Sequence, residues 1–297
     1  MSKVTAFGST SAETLAMLLE RHPDYRVQRR LRPISRYGGS PSRDGGCVSG
    51  CAVRVGTTGS DHLQHALSEL SMQCFRADAS GRITHAGPAF SWLGDTGEHV
   101  PGIGKRTCHD EFAVAGRRIC EAEATSLILD ADFVVAHDAG FDRPFVEKRL
   151  PLAAGRPWIC SMRDVDWGAF GFDGTGLRGL LAQMGWFYGT SNADADVSAL
   201  LRLLDHAPET GPTVLARAIA TAASPGWIVE AHHAPLGAGD LLRTRGYRWD
   251  ATRRRWWTEV PTEAFDEEVE WASLNVYAGR GRPNFRRTDW TCRYAAD

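Results

Sequence analysis

Phe133-Val134-Val135-Ala136 runs without a break into His137-Asp138-Ala139-Gly140-Phe141-Asp142, and then into the helix-forming stretch 143–149. Four apolar residues are too few for a helix of ordinary length, so they read as a short buried strand. Residues 125–129 fall late in a helix on the upstream side. Helix, strand and helix in that order point to a mixed α/β sheet. Three more strands precede this unit, at 51–55, 70–76 and, after a Gly81-Arg82 hairpin turn, 83–86. Downstream, a strand at 158–161 leads to helices at 177–184 and 193–204, the second carrying Val197, Leu200, Leu201 and Leu204 at helical spacing.

With 297 residues, 43% of them hydrophobic, the chain can bury one sizeable domain and a smaller appendage. Residues 1–50 read as a helix and a linker. The helix is expected at 12–21, capped by Ser11, with Leu15, Leu18 and Leu19 on one face, and 37–50 is rich in Gly, Ser and Pro. The main domain is expected at 51–206. A second linker occupies 207–239, where 224–239 is rich in Pro, Gly and His. A small α+β module then fills 240–297, with a helix at 240–245, a hairpin at 247–260 and a helix at 262–277.

The 34 Lys+Arg nearly cancel the 36 Asp+Glu, so a global basic field of the kind carried by abundant non-specific DNA binders is excluded. Any nucleic-acid contact must come from local patches. Seven cysteines form no CxxC pair, which argues against a zinc ribbon or a disulfide framework. The first residues lack the apolar core of a signal peptide and no membrane-length apolar run follows, so a cytoplasmic protein without a membrane partner is expected.

The segment 136–142 matches Ala-His-Asn-Ala-x-Phe-Asp, in which the asparagine position is Asp138 here. In its strand-to-helix context it resembles the second motif of the DnaQ-like (DEDD) 3'-5' exonucleases. In that family four carboxylates hold two divalent metals about 4 Å apart, stabilising the attacking and leaving oxygens. The resemblance makes Asp142 a metal ligand. It also aligns 191–196 with His-x-Ala-x-x-Asp, placing Asp196 as a second ligand and Ser191 where the family has its general-base histidine. Residues 53–59 line up with Val-Asp-x-Glu-Thr-Thr-Gly, so that Arg54 and Gly56 replace both carboxylates while Thr57, Thr58 and Gly59 keep the tail that a terminal nucleotide approaches. The likeness covers about 51–204 and implies a ribonuclease H-like mixed sheet flanked by helices. Residues 23–27, and 246–249 with 256–257, are similar to the flanks of a bacterial subgroup.

Two carboxylates are too few for a tight metal pair, and Arg54 adds a positive charge where the family's bridging Asp would stand. Serine cannot take the water proton, which removes a further factor of about 10² to 10⁴ from the rate. The leading expectation is therefore a protein that binds single-stranded or 3'-ended nucleic acid with weak or absent cleavage. Two alternatives stay open. One is an active Mg- or Mn-dependent exonuclease with relocated ligands, for which Asp138, Asp61 and Asp194 are the available carboxylates, Asp194 pointing away from Asp196 on its helix. The other is a non-catalytic module with a protein partner and no cofactor.

His137 and Phe141 are candidate nucleic-acid contacts within the second motif, His137 also reading as a packed or backbone-bonded residue. In the C-terminal hairpin, Tyr247, Trp249, Trp256 and Trp257 interleave with Arg248, Arg253, Arg254 and Arg255. Trp249, Arg254 and Trp256 are the residues expected to stack on bases and follow a backbone. The same alternation also suits the core of a small domain, with one function on each face. His206, His232 and His233 lack metal-ligand spacing and read as solvated loop.

Overall fold

The computed structural model describes residues 9–32, 46–94, 118–189, 193–209, 211–251 and 253–296. In chain order, helix α1 (Ser9–Glu20) and the two-residue strand β1 (Arg29–Arg30) come first. Strands β2 (Val48–Thr57), β3 (Leu67–Ala77) and β4 (Ile83–Leu93) follow, then α2 (Glu121–Leu129), β5 (Phe133–Ala136), α3 (Ala139–Arg149) and β6 (Trp158–Cys160). Next are α4 (Leu177–Gln183), β7 (Trp186–Phe187), α5 (Ala193–Leu204) and α6 (Val214–Ala223). The chain continues through β8 (Gly226–Ala231), α7 (Gly239–Thr244), β9 (Arg248–Asp250), β10 (Arg255–Pro261), α8 (Phe265–Asn275) and β11 (Asn284–Thr288).

The main sheet has the order β4-β3-β2-β5-β6. Pairs β4/β3 and β3/β2 are antiparallel, β2/β5 and β5/β6 parallel. This is the ribonuclease H-like mixed sheet. Side chains alternate across it, so Val134 and Ala136 of β5 enter one core with Phe145 of α3 and Ile128 of α2, whereas Phe133 and Val135 enter another with Leu200 of α5 and Val214 of α6. Helices therefore cover both faces, which is why β5 is buried throughout. Gly50 is where β2 must be bare: a Cβ there would stand 2.4 Å from the Phe75 ring and 2.8 Å from that of Phe133. The β3–β4 turn uses Gly81 at φ 78°. Asp78 locks it, accepting from Ser80 N (2.9 Å) and Arg82 N (3.1 Å).

Several boundaries differ from the sequence reading. Strand β2 starts at Val48, inside the stretch read as linker, and β4 runs on to Leu93. Helix α1 starts before Ser11, which lies within it, and Leu15, Leu18 and Leu19 are exposed. The stretch 224–239 is not an open linker. It contains β8, which pairs with both β10 and β11 in an antiparallel sheet of order β11-β8-β10-β9. Pro225 and Gly226 suggested a break, but Gly226 serves close packing: a Cβ there would lie 2.8 Å from the Val260 carbonyl oxygen. Helix α6, capped by Thr213 accepting from Ala216 N at 3.1 Å, lies just before it, also within the expected linker 207–239.

The last residues return to the main sheet. Trp158 N donates to Trp290 O at 2.7 Å, and Tyr294 OH donates to Asp164 at 2.6 Å. No helix among the described residues is long and apolar enough to cross a membrane.

Candidate functional site

The central strand β2 carries Arg54, and α3, springing from the end of β5, carries Asp142 in its first turn. Asp196 lies in the first turn of α5. These three residues, distant in sequence, meet. Arg54 Nη1 donates to Asp142 Oδ1 at 3.2 Å, and Arg54 Nε lies 3.5 Å from Asp196 Oδ2. Val55 N donates to the same Asp142 oxygen at 3.0 Å, and Tyr188 OH donates to Asp196 Oδ1 at 2.8 Å. Of the four carboxylate oxygens, Asp142 Oδ2 has no hydrogen-bond donor among the described residues, and nearby Asp138 Oδ1 shares that condition.

The two partners of the ion pair respond differently because their exposures differ, 34% for the Arg54 side chain and 0% for Asp142. Burial works against the Arg54 charge, yet Asp142 and Asp196 outweigh it and hold its pKa above the ordinary value. For Asp142 burial dominates, and its carboxyl is pushed up to about 6 despite Arg54 and the Val55 amide.

A carboxyl with a raised folded-state pKa stabilises the fold below its unfolded pKa and loses that contribution as pH rises through the folded value. From 3.8 to about 6, at 1.36 kcal/mol per pKa unit, ionising Asp142 costs about 3 kcal/mol. Asp142→Asn, which mimics the protonated form, should therefore match wild type near pH 4 and exceed its stability by up to that amount at pH 7. Urea melts across this range would show a constant gap if the carboxyl were not strained.

The guanidinium occupies the approach that a cation between Asp142 and Asp196 would need, and it turns an attraction for metal into repulsion. Among the described residues no three His, Cys, Asp or Glu side chains converge as a metal site. This donor set does not fit a pair of divalent ions. Asp61 is also engaged elsewhere, accepting from Leu63 N at 2.9 Å and Gln64 Nε2 at 2.9 Å in its own turn. Ser191 and the Asp194 side chain lie outside the described residues.

The other candidates are placed as follows. Thr57 Oγ1 donates to Gly59 O (2.7 Å), and Thr58 Oγ1 accepts from Ala66 N (3.0 Å), so the loop is tied to itself. The space a side chain at Gly59 would fill holds the His65 ring. His137 is bonded at both nitrogens, to Ser161 Oγ (2.8 Å) and Thr175 O (2.7 Å), and burial holds its pKa below the ordinary value. Phe141 packs on Phe145 with ring centres 5.2 Å apart.

In the C-terminal hairpin, Trp249 and Trp256 face each other across β9 and β10. Trp256 packs into the module's core, Trp249 is half exposed, and Arg254 sits at the turn with φ 50°. His232 is no loose loop residue: it follows β8 directly and bonds Glu230 at 2.9 Å, while His206 packs edge-on against Phe172.

Solved exonuclease structures resemble this chain. Exonuclease X in complex with 5' overhanging duplex DNA aligns at 18% identity and TM-score 0.40, over 58% of this chain and 99% of that one. The zinc-bound E. coli exonuclease I–ssDNA complex aligns at 12% and 0.40, over 61% of this chain and 48% of that one. A 3'-exonuclease recognising the histone mRNA stem-loop aligns at 12% and 0.42, over 74% of this chain and 93% of that one. No protein-family model matches the chain, and no curated protein matches it. What those enzymes bind and cut is a property of theirs.

Two residues at the site have no motif to announce them. Tyr188 lies eight positions before Asp196, a spacing that α5 alone makes meaningful. Glu69 is buried and stands opposite Gly56 across β2 and β3. A Cβ at Gly56 would be 2.9 Å from Glu69 Cβ and 3.3 Å from its Oε2, so Glu69 fills the space beside Gly56. The β2–β3 register is the only signal that pairs them.

Proposed function

We propose that this protein is a nucleic-acid-binding member of the exonuclease fold that holds single-stranded or 3'-ended nucleic acid and cleaves it slowly or not at all. The observation that carries the reading is Arg54 bridging Asp142 and Asp196. In this centre Arg54 bridges both carboxylates, and its side chain, one-third exposed, keeps an N–H edge able to meet a phosphate. Asp142 is sealed in place by α3, the Val55 amide orients it, and Tyr188 orients Asp196. Each of these is a positioning contact, and none activates water. The change of Asp to Arg at position 54 converts a centre for metal-assisted displacement into one for anion binding.

The test uses purified protein and a 5'-labelled oligonucleotide with a free 3' end, in Mg²⁺ and in Mn²⁺. The expected result is salt-sensitive binding, as counterion release requires, with no shortening of the strand over an hour. Rapid 3' shortening that Asp142→Ala abolishes would overturn the proposal in favour of a working exonuclease. Binding unaffected by salt would favour a protein partner.

A further inference from the structure

We propose that the cleft between α1, β1 and β7 is a second subsite for nucleic acid, gripping the phosphodiester backbone of a single strand whose end lies at Arg54, Asp142 and Asp196. This rests on the reading of that centre as a nucleic-acid site. The cleft encloses about 470 Å³, a size suited to a ligand segment, and is lined by Glu13, Arg29, Arg30, Arg32, Trp186 and Arg202. Four arginines against Glu13 and Glu20, both paired with Arg29, leave it two charges positive, on a chain whose net charge is -2. The global balance thus hides a local patch.

Arg29 is neutralised, whereas the other three arginines are held ready. Arg29 is pinned by Glu13 (2.5 Å) and by Glu20, which fixes the end of α1 against β1. Arg30 lies over the Phe187 ring at 5.8 Å and Arg202 over Trp186 at 4.1 Å. Among the described residues no ion pair engages Arg30, Arg32 or Arg202. A guanidinium laid on an aromatic face keeps its N–H edge for an anion and has already lost part of its rotamer freedom, so less is lost when phosphate binds.

The backbone dictates this arrangement. Strand β1 pairs in parallel with β7, Arg29 opposite Trp186 and Arg30 opposite Phe187. Leu31, buried against Leu181 and Ala199, seats the segment.

The chain leads from the cleft to the centre. Tyr188, the residue after β7, bonds Asp196 and is covered by Arg178 at 4.8 Å. Three consecutive aromatics, Trp186, Phe187 and Tyr188, therefore each carry an arginine, Trp186 facing the cleft and Tyr188 bonding the Asp196 carboxylate. Guanidinium groups interleaved with rings suit a chain of phosphates and bases better than a purely carboxylate ligand.

The test compares the full chain with Arg30→Gln/Arg32→Gln, both exposed positions, by anisotropy of labelled oligothymidylates of about 4 and about 20 nucleotides. Wild type should prefer the longer strand. The variant should bind it about tenfold more weakly, with a log–log salt slope shallower by about 0.7 per arginine, and bind the short strand unchanged. A variant equal to wild type on both lengths would overturn the cleft and leave the centre standing. Wild type that bound neither length would overturn the centre, and the cleft with it. Displacement of the long strand by polyglutamate at equal charge concentration would overturn the cleft in favour of an acidic protein partner.

Discussion

Arg54→Asp is expected to acquire a metal response that the wild-type protein lacks. The substitution removes the one fixed cation between Asp142 and Asp196 and supplies a third carboxylate at the same point of β2. Three hard anions repel one another without a cation, so the free variant should melt below wild type and regain stability as Mn²⁺ is added. At about 100 times the dissociation constant the gain is about 2.7 kcal/mol, a rise of about 5 °C or more in melting temperature for a chain of this size. Wild type should move by less than about 1 °C, because ligand stabilises only what it binds. Arg54→Ala separates loss of charge from gain of ligand, and should respond weakly. Equal melting shifts in wild type and Arg54→Asp would mean that the guanidinium does not block a cation. Gly56→Glu is expected to lower the response rather than complete it, since its Cβ would land 2.9 Å from that of Glu69.

The largest loss of stability is expected far from this centre, at Arg143. Its side chain is 1% exposed and binds Glu147 Oε1 (2.8 Å), Arg293 O (2.7 Å) and Thr291 O (2.5 Å), tying α3 to the end of the chain. Arg293 continues the tie, donating to Ala222 O at 2.8 Å and Ser224 O at 3.0 Å and pairing with Glu259. Arg143→Ala leaves the partly buried Glu147 carboxylate and several carbonyls without their donor at once, a change that costs about 3 kcal/mol. Chemical denaturation should show that loss, whereas Arg149→Ala, whose pair with Glu121 is half exposed, should stay within about 1 kcal/mol of wild type. If the two variants were equally stable, the C-terminal tail would not be a structural clamp.

The strands and helices of the main domain were legible because their signals are local. The Phe133–Ala136 run, the Gly81 turn and the heptad-like spacing of Val197, Leu200, Leu201 and Leu204 each sit within a few residues. Strand β8 was not legible. Its Pro225-Gly226 entrance looks like a loop until Val260 is known to press against it. The amphipathic look of α1 was similarly incomplete, since Leu15, Leu18 and Leu19 show spacing but find no core.

The chemistry at the centre divides in the same way. Covalent order alone determined that residues 54, 56, 142 and 196 are Arg, Gly, Asp and Asp, and hence which charges are available to a site built from them. Only the folded chain decided that the Arg54 guanidinium reaches both carboxylates across separations of 88 and 142 residues, that Glu69 fills the room beside Gly56, and that Tyr188, which follows the arginine-lined cleft in the chain, bonds Asp196. Charge is a property of each residue and is read in one dimension. Which charges meet, and how far water is excluded between them, depends on strand register and helix packing that bring remote segments within a few ångströms.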